Sequence, residues 1–289
     1  MTTTFPSLTG PGTAPAPGTL LTTIAVTSED GPLGLAARAT AEAVRPLPGP
    51  PRVTGAHLTM APGAEVPAGT SVTAQAEARV TALLPGRAGT VAEVAVTLTA
   101  EPSSQLSTAD APMLGTLDLT VATDLPEPAA GQAPGSRPWA ALLHERLRAD
   151  ARFAELIETY DGTIGLRIGG RDVHIRCYRG QVLETVPRSI RGADFLVDIS
   201  GAEFVALMTA ESNTFIESAM QRRISSSGSG YEYLRMTTAL IRIIDVCRAL
   251  TADAGWGHPG TATGQAPRSG TGPADDPKPH APTQNGATA

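Results

Sequence analysis

Residues 213–250, NTFIESAMQRRISSSGSGYEYLRMTTALIRIIDVCRAL, constrain the fold more than any other stretch. Their pattern predicts an amphipathic helix, a short strand, a Ser/Gly hinge and one long helix. Along that last helix Leu234, Ile241 and Ile244 form one apolar row. Tyr233, Met236, Leu240, Ile243, Cys247 and Leu250 form a second row beside it. Two adjacent rows at helical spacing make an unusually wide apolar face. Such a face must cover a sheet, another helix or an apolar ligand. Leu234 and Ile241, seven positions apart, would stand about 10 Å apart along one helix face, a spacing that could line an acyl chain.

The residues before this stretch alternate between helix and strand signals. Ser136 is a candidate N-cap, Pro138 suits a first turn, and Leu142, Leu143, Arg146 and Leu147 continue a helix. Asp150 caps a shorter helix through Phe153, Leu156 and Ile157. Strands are expected at Thr163–Ile168, Val173–Tyr178, Val182–Val186 and Ala193–Ile199, with Gly169-Gly170 and Arg179-Gly180 as turns. Ser200 then caps a helix carrying Phe204, Val205, Leu207 and Met208.

The first half of the chain follows another rule. Across Ser71–Thr81, Val72, Ala74, Ala76, Ala78 and Val80 face one way, and Thr73, Gln75, Glu77, Arg79 and Thr81 the other. Thr90–Thr99 and Gly115–Thr123 alternate in the same manner. Period two over such lengths predicts antiparallel strands with one wet face. Leu20–Val26 and Val53–Met60 are further expected strands, and Pro32 and the Ala-rich residues after it predict a helix over 31–44. The expected order is strand, helix, then four strands.

Composition bounds the rest. Net charge is −6 and Lys278 is the single lysine. No dense basic stripe is present, so nucleic acid is not an expected partner. Neither a Schiff-base lysine nor a P-loop lysine is available in the patterned regions. Cys177 and Cys247 are the only cysteines, too few for a disulfide framework, and both sit in apolar contexts expected to bury them. The start, MTTTFPSLTGPGTAPAPGT, has neither the basic nor the apolar region of a secretion signal, and no apolar run reaches membrane-spanning length. A cytoplasmic setting is therefore expected. Residues 1–17 and 253–289 read as disordered tails and residues 125–136 as a Pro-rich linker. The folded parts are then 18–124 and 137–252.

Residues 18–124 resemble the hotdog fold, in which an antiparallel sheet wraps one helix. The resemblance rests on the element order, the Ala-rich helix, and VTGAHLTMAPGAEVPAGTSVTAQAEARV, which looks like the strand–Pro–Gly–strand passage of hotdog acyl-thioesterases. It implies a homodimer, because the open sheet leaves edges to pair. Residues 137–252 resemble the sterol carrier protein type 2 family. The carrying features are DGTIGLRIGGRDVHIRCYRGQV, the strand ADFLVDIS followed by a helix, and SAMQRRISSSGSG before a terminal helix. This resemblance implies an α+β fold, with a five-stranded sheet under helices, an apolar tunnel, and binding of lipids, acyl groups or other hydrophobic small molecules. Relatives often carry Gly-Asp before the terminal helix, whereas this chain has Ser227-Gly228-Ser229-Gly230.

The expected ligand-lining residues are Phe204, Leu207, Met208, Phe215, Ile216, Met220, Leu234, Ile241 and Ile244. Each is equally compatible with plain core. The hotdog resemblance points to Glu42 as the one candidate catalytic carboxylate, but the His-Gly-Gly entrance of thioesterases is replaced by Gly31-Pro32-Leu33-Gly34. The alternative for Glu42 is a solvated residue paired with Arg38 or Arg45. His57 alternates away from the core side of its strand and reads as a surface residue. No His/Asp/Glu spacing suggests a metal, and no cofactor is expected. The first functional expectation is binding or transfer of a lipid, acyl or polyketide-like group, of the kind handled in secondary metabolism. A thioesterase-, dehydratase- or cyclase-like enzyme is the alternative, and a scaffold or dimerisation protein the second alternative. Arg188, Arg191, Arg222 and Arg223 could rim a site for an anionic head group, or simply serve solubility.

Overall fold

A computed structural model describes residues 15–47, 49–61, 72–86, 89–100, 113–125 and 127–256. The Thr/Pro/Gly-rich ends at 1–14 and 257–289, and the Pro–Gly passage at 62–71, lie outside the described residues.

The first half runs β1 (Leu20–Ser28), α1 (Gly31–Val44), β2 (Arg52–Met60), β3 (Val72–Gly86), β4 (Gly89–Ala100) and β5 (Met113–Thr123). The strands form one antiparallel sheet in the order β1-β3-β4-β5-β2. The residues of one alternation face, Ala74, Ala76, Ala78, Val80, Val94, Val96 and Leu98, are buried against Leu35, Ala36, Ala39 and Ala43 of α1. Small side chains on both partners let the helix approach the sheet closely. At Thr81 the β3–β4 register slips, so Val80 faces Val94 and Ala82 faces Glu93. This bulge ends the simple alternation, and both Ala82 and Leu83 are buried.

The second half runs α2 (Arg137–Arg148), α3 (Ala151–Leu156), β6 (Asp161–Ile168), β7 (Arg171–Tyr178), β8 (Gln181–Val186), β9 (Phe195–Ile199), α4 (Gly201–Thr209), α5 (Phe215–Met220), β10 (Ile224–Gly228), α6 (Gly230–Arg235) and α7 (Thr237–Asp253). The sheet order is β10-β9-β6-β7-β8, with β6 and β9 parallel and the other pairs antiparallel. The expected caps operate. Ser136, Asp150 and Ser200 accept from the backbone N–H groups of Trp139, Phe153 and Glu203. Helix α7 lies at the centre of the helical layer, touched by α2, α3, α4, α5 and α6. Its residues Leu240, Ile243, Ile244, Cys247 and Leu250 enter a core that also holds Trp139, Phe153, Tyr160, Phe195, Phe204, Phe215 and Trp256.

Two findings differ from the sequence expectation. The outer face of the first sheet is not left wholly to water. Helix α4 lies across β3, and Thr81 and Ala95 on that face are buried. Helix α4 carries Phe204, Val205, Leu207 and Met208 into the second core, while Ala202, Val205, Ala206 and Thr209 line a cavity against the first sheet. The segment expected to link the halves also makes specific contacts. A 3-10 turn spans Ala130–Gln132, the Gln132 side chain accepts from Ala129 N–H at 3.1 Å, and the Trp256 indole donates to the Gly131 carbonyl at 3.1 Å.

Candidate functional site

The residues expected to line a ligand fall into two groups. Phe204, Leu207, Met208, Phe215 and Ile244 are buried in the second core. The Phe204 ring stands edge-on to Trp139 at 6.1 Å and to Trp256 at 6.0 Å. Ile241 is partly buried against the same cluster. Ile216, Met220 and Leu234 reach solvent instead. Met220 is 76% exposed, Leu234 73%, and Tyr231, on the same helix as Leu234, 74%.

This division follows from how 213–236 folds. The Asn213 side chain donates to the Ile241 carbonyl at 3.1 Å and to the Asp245 carboxylate at 2.7 Å, fixing the start of α5 on α7. Phe215 then enters the core and the next residue, Ile216, turns out. The Ser/Gly run expected as a hinge is mostly strand: β10 pairs with β9 from Ile224 opposite Ile199 to Gly228 opposite Phe195. Gly228 has φ +90°, and a Cβ there would lie 2.6 Å from the Asp194 carbonyl, so a side chain is excluded. The helix cap comes from Ser229, whose hydroxyl accepts from Glu232 N–H at 3.3 Å.

The single long helix expected over 231–250 is interrupted. Met236, with φ −94° and ψ 9°, separates α6 from α7. The Thr237 hydroxyl donates to the Tyr233 carbonyl at 3.1 Å, a back-bond of the kind that bends helices. Leu234 and Ile241 therefore sit on different helices, and the wide face divides. The row of Met236, Leu240, Ile243, Cys247 and Leu250 is buried while Leu234 points out. With β10 at the sheet edge, α5 and α6 both pack on it, and Ile216, Met220, Tyr231 and Leu234 are exposed on those two helices.

Glu42 lies in the last turn of α1, where its carboxylate accepts from Arg45 at 3.2 Å. His57 is exposed on β2, directly across from Asp118 on β5. A cavity of about 610 Å³ brings this pair together with Glu93, Asp198 and Ser200. Loss of solvent raises the Asp118 carboxyl above its ordinary value, His57 opposes that rise, and Glu93 adds to it. Glu93 accepts from Arg171 at 2.5 Å, and Arg171 also donates to the Pro134 carbonyl at 2.8 Å, so one guanidinium ties the first sheet, the connecting segment and β7. The sequence reading missed this grouping. His57, Glu93, Asp118 and Asp198 alternate with apolar residues along their strands and Ser200 caps α4, but only register and the docking of the halves bring them together.

Both thiols are buried. Burial pushes Cys177 up to about 12 and raises Cys247 as well. Among the described residues no group of three His, Cys, Asp or Glu side chains could hold a metal ion. No described helix is long and apolar enough to cross a membrane.

The architecture is thus mixed α+β, with two five-stranded sheets and helices among the described residues. No family model and no curated protein matches the sequence. Solved structures similar to part of it include a crystal structure of sterol carrier protein 2, at 13% identity, covering 40% of this chain and 97% of that one with a TM-score of 0.35. A conserved hypothetical protein from Thermus thermophilus, described as possibly a sterol carrier protein, is 14% identical over 43% of this chain and 93% of its own, with a TM-score of 0.34. A ubiquinone synthesis protein, UbiJ-SCP2, is 10% identical over 38% of this chain and 88% of its own, with a TM-score of 0.29.

Proposed function

We propose that the protein binds a hydrophobic small molecule, such as a lipid or acyl group, at the α5–β10–α6 edge of its second sheet. The observation that carries this reading is the exposure of Ile216, Met220, Tyr231 and Leu234 within one short stretch. Large apolar side chains held in water lose the favourable burial their neighbours gain, and grouping on one edge marks a surface for an apolar occupant. Ile241 is partly buried against the core that holds Phe215 and Ile244. Burying about ten methylenes of such a ligand would contribute roughly 8 kcal/mol before ordering costs. No strong polar contact is then required.

In this reading the first half is hotdog-like and pairs two copies of the chain. The order of strand, helix and four strands, the sheet order, and the exposed edge strand β2 support it. The halves are separate domains joined through 125–136. The enzyme reading ranks second, because the Glu42 carboxylate is engaged by Arg45.

Native mass spectrometry of the purified chain should show a co-purified apolar molecule, and a fluorescent fatty acid should bind at micromolar concentration. Met220→Asp and Leu234→Asp should weaken that binding at least tenfold while leaving the melting temperature unchanged, since both positions are exposed. If the wild type takes up no fatty acid, sterol or acyl-CoA, the reading fails. Sedimentation velocity gives the mass that decides the dimer.

A further inference from the structure

The segment between β8 and β9 crosses the face of the second sheet away from its helices. Gly165 on β6 lets it pass, because a Cβ there would meet Ala193 at 2.8 Å and Leu196 at 3.1 Å. The loop is held at both ends. Ser189 N–H donates to Nδ1 of the buried His174 at 3.1 Å, and Gly192 N–H donates to the Ser189 carbonyl at 3.1 Å. At its far end Asp194 accepts from the Tyr160 hydroxyl at 3.0 Å and from Thr163 N–H at 2.9 Å.

At the tip, Ile190 is 106% exposed, more than any other large apolar side chain among the described residues. Arg188 and Arg191 flank it and are exposed too. Neither guanidinium donates a hydrogen bond or joins an ion pair with the described residues. Behind them is a cavity of about 640 Å³, with Arg167, Asp172, His174 and Leu196 in its walls. The Asp172 carboxylate is engaged by Arg167 at 2.6 and 3.2 Å and also feels the charge of Arg188, so three arginines share one carboxylate in the lining of this cavity. The chain as a whole carries −6, so this is a local positive site on an acidic protein.

We propose that this loop docks the protein on an anionic phospholipid surface. Ile190 enters the acyl boundary, Arg188 and Arg191 contact phosphates, and the cavity behind them accepts a head group. A soluble phosphate would satisfy the arginines but leaves Ile190 without an apolar phase; a membrane surface satisfies both. The inference is independent of the ligand proposed for the α5–β10–α6 edge.

Co-sedimentation of the full chain with vesicles tests it. The chain should bind phosphatidylcholine–phosphatidylglycerol vesicles and not phosphatidylcholine alone. Raising salt from 0.1 to 1 M, which shortens screening from about 10 Å to about 3 Å, should release it. Arg188→Gln with Arg191→Gln should weaken partition about thirty-fold, a little over fivefold for each charge. Ile190→Ser keeps both charges and should weaken it about tenfold. All three positions are exposed, so circular dichroism melting should be unchanged. Equal binding to neutral vesicles, or binding to anionic vesicles unaffected by the arginine pair, overturns the proposal. So does a chain that binds inorganic phosphate through those arginines yet ignores every vesicle, which would make the site one for a soluble anion.

Discussion

The two halves of the molecule cover a sheet with helices in different ways. No aromatic residue occurs between Phe5 and Trp139, and the first core is built from Ala, Val, Leu and Ile around one Ala-faced helix. The second core gathers Trp139, Phe153, Tyr160, Phe195, Phe204, Phe215 and Trp256 beneath several helices. Small side chains bring layers close together; large rings fill the wider space between a sheet and a crossing set of helices. The first solution leaves little volume for a guest. The second has large groups whose displacement opens volume, and it is the half with the exposed apolar edge.

This contrast makes the cores sensitive to opposite changes. Phe204→Ala should have the largest effect, destabilising the protein by about 3–5 kcal/mol in chemical denaturation, because both indole contacts are lost. Ala39→Leu, on the buried face of α1, should cost about 1–3 kcal/mol by overpacking. A neutral or stabilising Ala39→Leu would reveal spare volume in the first core and break the comparison.

The joint between the halves should respond more weakly. The Glu93–Arg171 side chains are each 22% exposed. Glu93→Gln should cost at most about 1 kcal/mol. Its sharper signature is loss of coincidence between unfolding followed by the indoles, which report only the second half, and by backbone circular dichroism. If the two probes still coincide, the joint does not depend on this pair.

The smallest effect should come from pH. Burial holds the His174 imidazole below its ordinary value; Asp172 opposes this, while Arg188 and Arg167 add to it. The unfolded chain therefore binds this proton more readily than the folded one. The contribution is complete above about pH 6.5, the unfolded value, and is lost as pH falls through the lowered folded value. Protonation of Nδ1 would also break the bond from Ser189. His174→Gln should flatten the fall in melting temperature below pH 6.5; an unchanged slope would remove His174 from the account.

Much of the fold was legible in the sequence because its signals are local. Pro32 and the alanines after it mark α1, Ser136, Asp150 and Ser200 mark three helix starts, and alternation marks β3, β4 and β5. What escaped depends on partners distant in sequence. The strand role of Ser225–Gly228 comes from pairing with β9, against the weak strand preference of Ser and Gly. The break at Met236 is one residue wide and leaves the apolar period almost intact, so 231–250 reads as one helix. The lining residues were therefore recognisable as apolar but not separable into buried Phe204 and Phe215 and exposed Met220 and Leu234. Helix α4 carried a second stripe, Ala202, Val205, Ala206 and Thr209, at helical spacing, and that signal could have pointed to the covered outer face of β3.

Helix α4 is a wall common to two rooms. Phe204 and Ala206, two residues apart, lie on opposite sides of it, one in the second core and the other in the wall of the cavity against the first sheet. Any outward shift of the helix that widens the space around Phe204 narrows the space over Ala206. Occupancy on one side and packing on the other are thus linked variables, and whatever free energy one exerts on the wall the other must feel in return.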